Sequence, residues 1–296
     1  MKLSIAYLGP TGTNSETAAL AYADWLSSTK EQETKLKPYP SIAVAMQSAF
    51  SGDTNYAVVP IENSIEGSVT VVLDALWRSS LYIHHELTIP IAHGLLSYAA
   101  SLADIKTVYS HPQGLAQCQQ WLARHLPQAR LAATSSTTEG IKYLQSDPTA
   151  AAVSAPRAAQ LYQVPLLQSD IKDRPDNCTR FWVISSTVSD NGSHLSLAFS
   201  LPQNAPGALV KALAIFAERN INLSKIESRP SKRSLGEYIF FVDLEENSQT
   251  PIVNEALTEL ASCTEVLKIF GNYNLLPTTT EIKGELNSLP LTDDTL

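Results

Sequence analysis

Residues 81–97 read "LYIHHELTIPIAHGLLS". β-branched and aromatic residues follow one another there with no helical spacing, which predicts a long strand-like stretch without a helix. On both sides the pattern is different. Before it, short β-rich runs alternate with helical ones: "LSIAYLG" then "ETAALAYADWL", and "YAVVPI" then "SVTVVLDALW". After it the alternation resumes with "IKTVYS" then "GLAQCQQWLARHL", and "AAAVSA" then "PRAAQLY". Such an order predicts an α/β sheet with crossover helices, and the interruption marks the start of a second subdomain. The neighbouring His84 and His85 do not make a metal pair, because successive strand residues point to opposite faces. With no HExxH motif, CxxC pair or acidic cluster elsewhere, no metal is expected.

Further along, the polar run "SSTVSDNGS" at 185–193 resets the pattern. Strand "HLSLAFSLP", helix "GALVKALAIFAERN", strands "NLSKIESRP" and "GEYIFFVDLE", helix "PIVNEALTELASC" and strand "VLKIFGNYN" follow in turn. That βαββαβ order suits a ferredoxin-like sandwich, an antiparallel sheet with two helices on one face. The acidic, aperiodic tail "LPTTTEIKGELNSLPLTDDTL" is expected to be flexible.

A chain of 296 residues with 44% hydrophobic and 17% charged residues has room for two domains with sizeable cores. Its net charge of -8 argues against nucleic acid or an anionic membrane as partner. Three widely spaced cysteines fit a reducing compartment, and the N-terminus enters a strand-like run without a leader pattern, so a cytoplasmic location is expected. No run reaches the length of a membrane span.

Three polar turns follow strands. "GPTGTNSE" at 9–16 offers the hydroxyls of Thr11, Thr13 and Ser15 with backbone N–H groups that suit an anion or, equally, a helix cap. "PIENSIEGS" at 60–68 places Glu62, Asn63 and Ser64 where a strand emerges at its carboxyl end, the side on which open α/β sheets bind ligands. Ser68 and Glu66 there suit the next helix N-terminus. "SHPQGLAQC" at 110–118 repeats the arrangement with Ser110, His111 and Gln113, while Cys118 falls on the apolar helix face.

Together with "NCTRF" at 177–181, "GALVKAL" and "ESRP", these pieces resemble, in order, the prephenate dehydratase family with its C-terminal ACT domain. The resemblance implies a two-lobed, periplasmic-binding-protein-like catalytic domain with substrate between the lobes. It implies boundaries of 1–186 for that domain, with lobe 1 at about 1–78 and 176–186 and lobe 2 at about 79–175. A linker at 187–194, an ACT domain at 195–275 and a flexible tail at 276–296 complete the expected organisation. The implied activity is decarboxylating dehydration of prephenate to phenylpyruvate in phenylalanine biosynthesis, without a cofactor. Arogenate dehydration and a non-catalytic amino-acid sensor are the alternatives. Asn14, Thr137, Thr138 and Gly140 depart from the family's bulky or small residues and bear on substrate fit.

By the same resemblance, Thr179 stands where the lobes cross, with Glu62, Asn63 and Gln113 as catalytic partners and Glu62 or a water as proton source. Substrate binding falls to Thr11, Thr13, Ser64, Ser110, His111, Arg180 and Phe181. In the ACT domain, Asn204, Pro206, Gly207, Ala208 and Leu209 would receive phenylalanine as effector, with Glu227, Ser228 and Arg229 from a neighbouring subunit. A homodimer or homotetramer through paired ACT domains is implied.

Overall fold

The computed structural model describes residues 2–277. The chain begins β1 (Leu3–Leu8), α1 (Asn14–Lys30), β2 (Thr34–Tyr39), α2 (Ile42–Phe50), β3 (Tyr56–Asn63), β4 (Gly67–Ser68), α3 (Thr70–Arg78) and β5 (Tyr82–Pro90). It continues β6 (Gly94–Ser97), β7 (Thr107–Ser110), α4 (Pro112–Gln117), α5 (Gln119–His125), β8 (Arg130–Ala133), β9 (Ala150–Ser154), α6 (Pro156–Tyr162) and β10 (Leu166–Gln168). β11 (Cys178–Ser185) returns to the first sheet. The last part is β12 (His194–Ser200), α7 (Ala208–Ala217), β13 (Leu223–Pro230), β14 (Tyr238–Leu244), α8 (Pro251–Cys263) and β15 (Val266–Leu275).

Two sheets result, the larger in the order β13-β14-β12-β15-β5-β11-β3-β1-β2 with β4 on β3, and the smaller β10-β6-β9-β7-β8. The smaller sheet is lobe 2. Residues 81–97 do not form one strand in it: β5 pairs antiparallel with β11 in the first sheet, and only β6 joins the second. The chain crosses at Ile91–His93 and crosses back before β11, and backbone bonds Ile91 N to Asn177 O (2.8 Å) and Ile171 N to His93 O (2.9 Å) tie down both crossings. Lobe 2 therefore starts about ten residues later than its expected boundary at 79.

The four last strands form the expected antiparallel sheet, β13-β14-β12-β15, with α7 and α8 packed on one face through Phe216, Ile215, Val253 and Leu260. Its other face packs on lobe 1, where Ile239, Phe241, Phe270 and Tyr273 share one core with Leu73, Leu76, Ile83 and Trp182. Each large side chain so buried contributes roughly 1.5–3 kcal/mol relative to exposure, which makes this contact a core and not a sliding interface. β15 also pairs parallel with β5 through Asn274 and Leu275, so one sheet runs through both domains. The linker is bound along β15, with Ser189 Oγ donating to Asn272 O at 2.6 Å.

Local differences from expectation have local causes. The helix expected across 114–126 breaks at Cys118 into α4 and α5, and the carboxylate of Asp173 takes the freed N–H groups of Gln120 (2.9 Å) and Trp121 (3.0 Å). Ser68 is not a cap: Val69 holds that position, and the Ser68 hydroxyl accepts from Lys225 Nζ at 3.1 Å. The tail expected at 276–296 lies outside the described residues from 278 onward; Leu276 is buried and donates to Glu86 O.

Candidate active site

A cleft of about 650 Å³ lies between the lobes. Lobe 1 contributes the β1–α1 loop, Asn63, Thr179 and Phe181, and lobe 2 contributes His111, Gln113, Gln117 and the segment Ser135–Glu139 with Lys142. Two contacts clasp the lobes at one end of it. The carboxylate of Glu16, itself 5% exposed, accepts from Gly12 N at 2.8 Å and from Arg157 Nε at 2.9 Å, while Tyr162 donates its hydroxyl to Thr11 O at 3.1 Å. Gly12 has φ +89, and a Cβ there would lie 3.2 Å from Tyr162, so both the backbone and the close approach of α6 call for glycine.

The floor of the cleft is a chain of side-chain hydrogen bonds across the crossing segments. Asn63 Nδ2 donates to Thr179 Oγ1 (2.9 Å), Asn177 Oδ1 (2.9 Å) and Cys178 O (3.0 Å). Asn177 Nδ2 donates to Gln117 Oε1 at 2.9 Å, and that same oxygen meets His93 Nε2 at 2.8 Å. Thr179, Asn63, Asn177, Gln117 and His93 are all at most 8% exposed. The amide of Asn63 cannot be turned round, because its Oδ1 accepts the backbone N–H groups of Ile65 (3.0 Å) and Glu66 (3.1 Å). Asn63 is therefore a donor to Thr179, and the threonine proton is left to point elsewhere.

β3 and β11 are antiparallel neighbours with Thr179 opposite Asn63 and Arg180 opposite Glu62. Alternation along each strand sends the first pair into the cleft and the second to the opposite face. Glu62 and Arg180 are accordingly outside the cleft, contrary to expectation. Arg180 bonds Glu86 through Nε (2.8 Å) and Nη2 (2.6 Å), Glu62 through Nη1 (2.8 Å), and reaches Asp243 of β14 at 3.4 Å. Burial raises the Glu62 carboxyl, but the hydrogen bonds and charges of Lys225 and Arg180 outweigh it and hold the group below its ordinary value. Glu62 is thus ionised near neutral pH and faces away, which removes it as a proton source.

The other predicted residues divide. Gln113 and His111 line the cleft, with His111 Nδ1 accepting from Gln113 N at 3.2 Å as the cap of α4. Ser110 neither caps that helix nor reaches the cleft: it is fully buried and donates to Val153 O at 2.7 Å. Ser64 Oγ accepts from Cys178 N at 3.0 Å. Thr13 lines the cleft while capping α1, its hydroxyl 3.4 Å from Glu16 N, and Thr11 meets Tyr7 Oη at 3.4 Å. Phe181 is buried beside Thr179 as an apolar wall. Gln117, Asn177, His93 and Lys142 were not anticipated. Gln117 lies one turn beyond Gln113 on the same helix face, a spacing visible in "SHPQGLAQC", and Asn177 opens the quoted "NCTRF"; His93 and Lys142 are found only through the fold.

A second cavity of about 530 Å³ lies at the start of α7, lined by Asn204, Gly207, Ala208 and Leu209 together with Arg233, Tyr238 and Glu265. Pro206 is next to this lining, and Gly207, at φ +81, ends the turn with nothing within 4 Å of where a Cβ would be. Glu227, Ser228 and Arg229 do not line it. Glu227 lies 3.8 Å from Lys225, and Arg229 lies 3.3 Å from Asp74 of α3, against lobe 1 of the same chain. β13, which carries them, is the free edge of the sheet.

Comparison with known proteins gives the geometry a family context. The model described as prephenate dehydratase matches residues 5–189, and the ACT domain model matches residues 196–262. The chain is 36% identical over 282 residues to prephenate dehydratase of Lactococcus lactis subsp. cremoris, covering 92% of this chain and 98% of that one. Among solved structures, prephenate dehydratase from Arthrobacter aurescens in complex with L-Phe aligns with a TM-score of 0.81 at 31% identity, covering 97% of this chain and 99% of that one. A structure described as GqqA, a quorum-quenching acylase, aligns with a TM-score of 0.79 at 25% identity, covering 93% of this chain and 98% of that one.

Proposed function

This chain belongs to the prephenate dehydratase family, and from that premise we propose that its cleft converts prephenate to phenylpyruvate with release of carbon dioxide and water. The observation that carries the reading is the state of Thr179. Its oxygen accepts from an asparagine whose orientation is fixed by two backbone N–H groups, so its own proton is available to the cleft. The substrate loses a ring hydroxyl, a poor leaving group unless a donor meets the charge that develops on it. Thr179 meets that charge, on the scale of roughly 10²–10³ in kcat for one preorganised donor. As the ring carboxylate departs as carbon dioxide, the electron pair of the broken carbon–carbon bond enters the ring and the carbon–oxygen bond breaks. A water in the cleft relays a proton from bulk solvent to the departing oxygen, which leaves as water. Gln117 presents its free amide N–H groups, and Lys142 provides positive charge for a dianionic substrate in an acidic chain.

An acylase reading of the same fold would need a nucleophile paired with a base. Among the described residues, the cleft histidines have other partners: His111 Nδ1 caps α4 and His93 Nε2 meets Gln117.

Phenylalanine binds the cavity at Asn204–Leu209 and regulates the enzyme, a cytoplasmic homo-oligomer. Since Glu227–Arg229 lie away from that cavity within one chain, the free β13 edge of a second subunit completes it. The signal has a physical route. Lys225 of β13 bonds Glu62 Oε2 at 3.0 Å and Asp243 of β14 reaches Arg180, each next in sequence to a cleft residue. Incubation of purified protein with prephenate, and separately arogenate, with and without phenylalanine tests the reading. Phenylpyruvate formation suppressed by phenylalanine is expected; phenylalanine formed from arogenate alone would move the substrate assignment, and turnover of neither would refute it.

A further inference from the structure

The hydrogen-bond chain in the cleft floor has a direction, and its direction fixes the state of its last member. Asn63 is anchored as a donor by Ile65 N and Glu66 N. The Asn177 atom facing Asn63 Nδ2 must then be oxygen, which makes its Nδ2 the donor to Gln117. The Gln117 atom receiving that proton must in turn be oxygen. That oxygen also faces His93 Nε2 at 2.8 Å, so the imidazole carries its proton on Nε2. Every amide is set by the one before it, and Gln117 Nε2 is left without a protein partner on the cleft side.

We infer that His93 is a positioning residue of the dehydratase reaction: its Nε2–H holds Gln117 Oε1 away from the substrate so that the Gln117 amide N–H groups face the cleft. The inference rests on the cleft being the prephenate site. Without His93, the Gln117 oxygen keeps only the Asn177 bond, and the side chain gains freedom to swing its oxygen toward a carboxylate. His93 suits this work because it sits in the crossing segment Ile91–His93, held through its carbonyl by Ile171 N, while Gln117 ends α4 in lobe 2. It therefore sets the lobe-2 donor against the lobe-1 donor Thr179. Its Nδ1 is buried without a partner, a cost the fold accepts on one side of the ring while using the other. Burial, the dominant influence, also lowers the proton affinity of the ring, which keeps the neutral form on hand.

Two measurements test this. In steady-state kinetics with prephenate, His93→Leu is expected to lower kcat roughly 10- to 100-fold, the scale of a misplaced group, and His93→Gln, whose amide can donate to the same oxygen, to recover most of the loss. Circular dichroism and thermal melting establish that each variant is folded. A folded His93→Leu with ordinary kcat, or a folded His93→Gln as impaired as the leucine variant, would overturn the inference. Nitrogen-15 NMR of the full-length native protein labelled at histidine, with the His93 signals assigned by their loss in either variant, then reads the ring directly and needs no substrate. A protonated Nε2 and an unprotonated Nδ1 are expected; the opposite tautomer refutes the directed chain even if no variant folds well enough for kinetics, in which case signals are assigned through the bonded Gln117 network. Absence of prephenate turnover in the native enzyme would instead strike the premise and leave the tautomer result standing.

Discussion

Thr179→Val separates chemistry from architecture better than any other single change in this protein. Valine keeps the shape of the threonine side chain and removes only the hydroxyl. In the native cleft floor the two protons of Asn63 Nδ2 are shared among three acceptors, Thr179 Oγ1, Asn177 Oδ1 and Cys178 O, at 2.9, 2.9 and 3.0 Å. Losing one acceptor leaves two for two protons, so no buried donor is stranded, and the stability loss is confined to about 1 kcal/mol, the net worth of one hydrogen bond. At about 2–4 °C per kcal/mol for a domain of this size, the melting temperature moves only slightly. Catalysis has no such spare partner. If the Thr179 proton meets the departing oxygen, kcat falls roughly 10²–10³-fold, equivalent to about 2.7–4 kcal/mol, with little change in KM. Steady-state kinetics with prephenate, paired with thermal melting of the same preparation, measures both numbers. A folded Thr179→Val enzyme within threefold of native kcat would refute the donor role.

Lys225→Met removes the β13 contact to Glu62 while leaving Arg180 in place; half-inhibition by phenylalanine is expected to need at least about fivefold more effector, with uninhibited kcat unchanged within about twofold. Unchanged inhibition would break the proposed route. Glu16→Gln keeps the hydrogen bond to Gly12 but discharges the clasp with Arg157, which is 39% exposed; KM for prephenate should rise about two- to fivefold, and an unchanged KM would show that the clasp does not favour closure. His85, packed 4.6 Å from the Trp25 ring, is pushed by burial from 6.5 to about 4. The unfolded chain thus binds the proton first as pH falls, so up to roughly 3 kcal/mol of stability present above pH 6.5 is lost by about pH 4. Urea unfolding across that range should show a shallower dependence in His85→Phe, and an identical slope would show that this ring does not contribute.

The order of strands and helices was legible because periodicities of two and 3.6 survive without knowledge of neighbours, and βαββαβ after residue 194 could be read directly. The polar edge strands Thr34–Tyr39 and Leu166–Gln168 carry too little apolar pattern to stand out. The lining of the candidate cleft was legible where two motifs meet on paired strands, as with Asn63 and Thr179. Glu62 and Arg180 were misplaced despite an available signal, since next-door strand residues face opposite ways and Glu62-Asn63 and Thr179-Arg180 cannot all enter one cleft. Gln117 was hidden for a different reason. Gln113 and Gln117 share a helix face, and only Asn177, sixty residues away, identifies which of them reaches the crossing. His93 and Lys142 belong to no motif and are brought in by topology alone.

The pairing of β15 with β5 makes the ACT domain difficult to lose. A chain cut in the linker would uncover the β5 edge at His85 and Glu86 and the apolar surface beneath Phe241 and Phe270 at the same time. Such an edge is a template for strand addition by another molecule. A fragment without the ACT domain would then be separated from it at the expense of solubility. If the proposed feedback acts through the ACT domain, selection for unregulated synthesis should accordingly favour point changes inside that domain over its deletion.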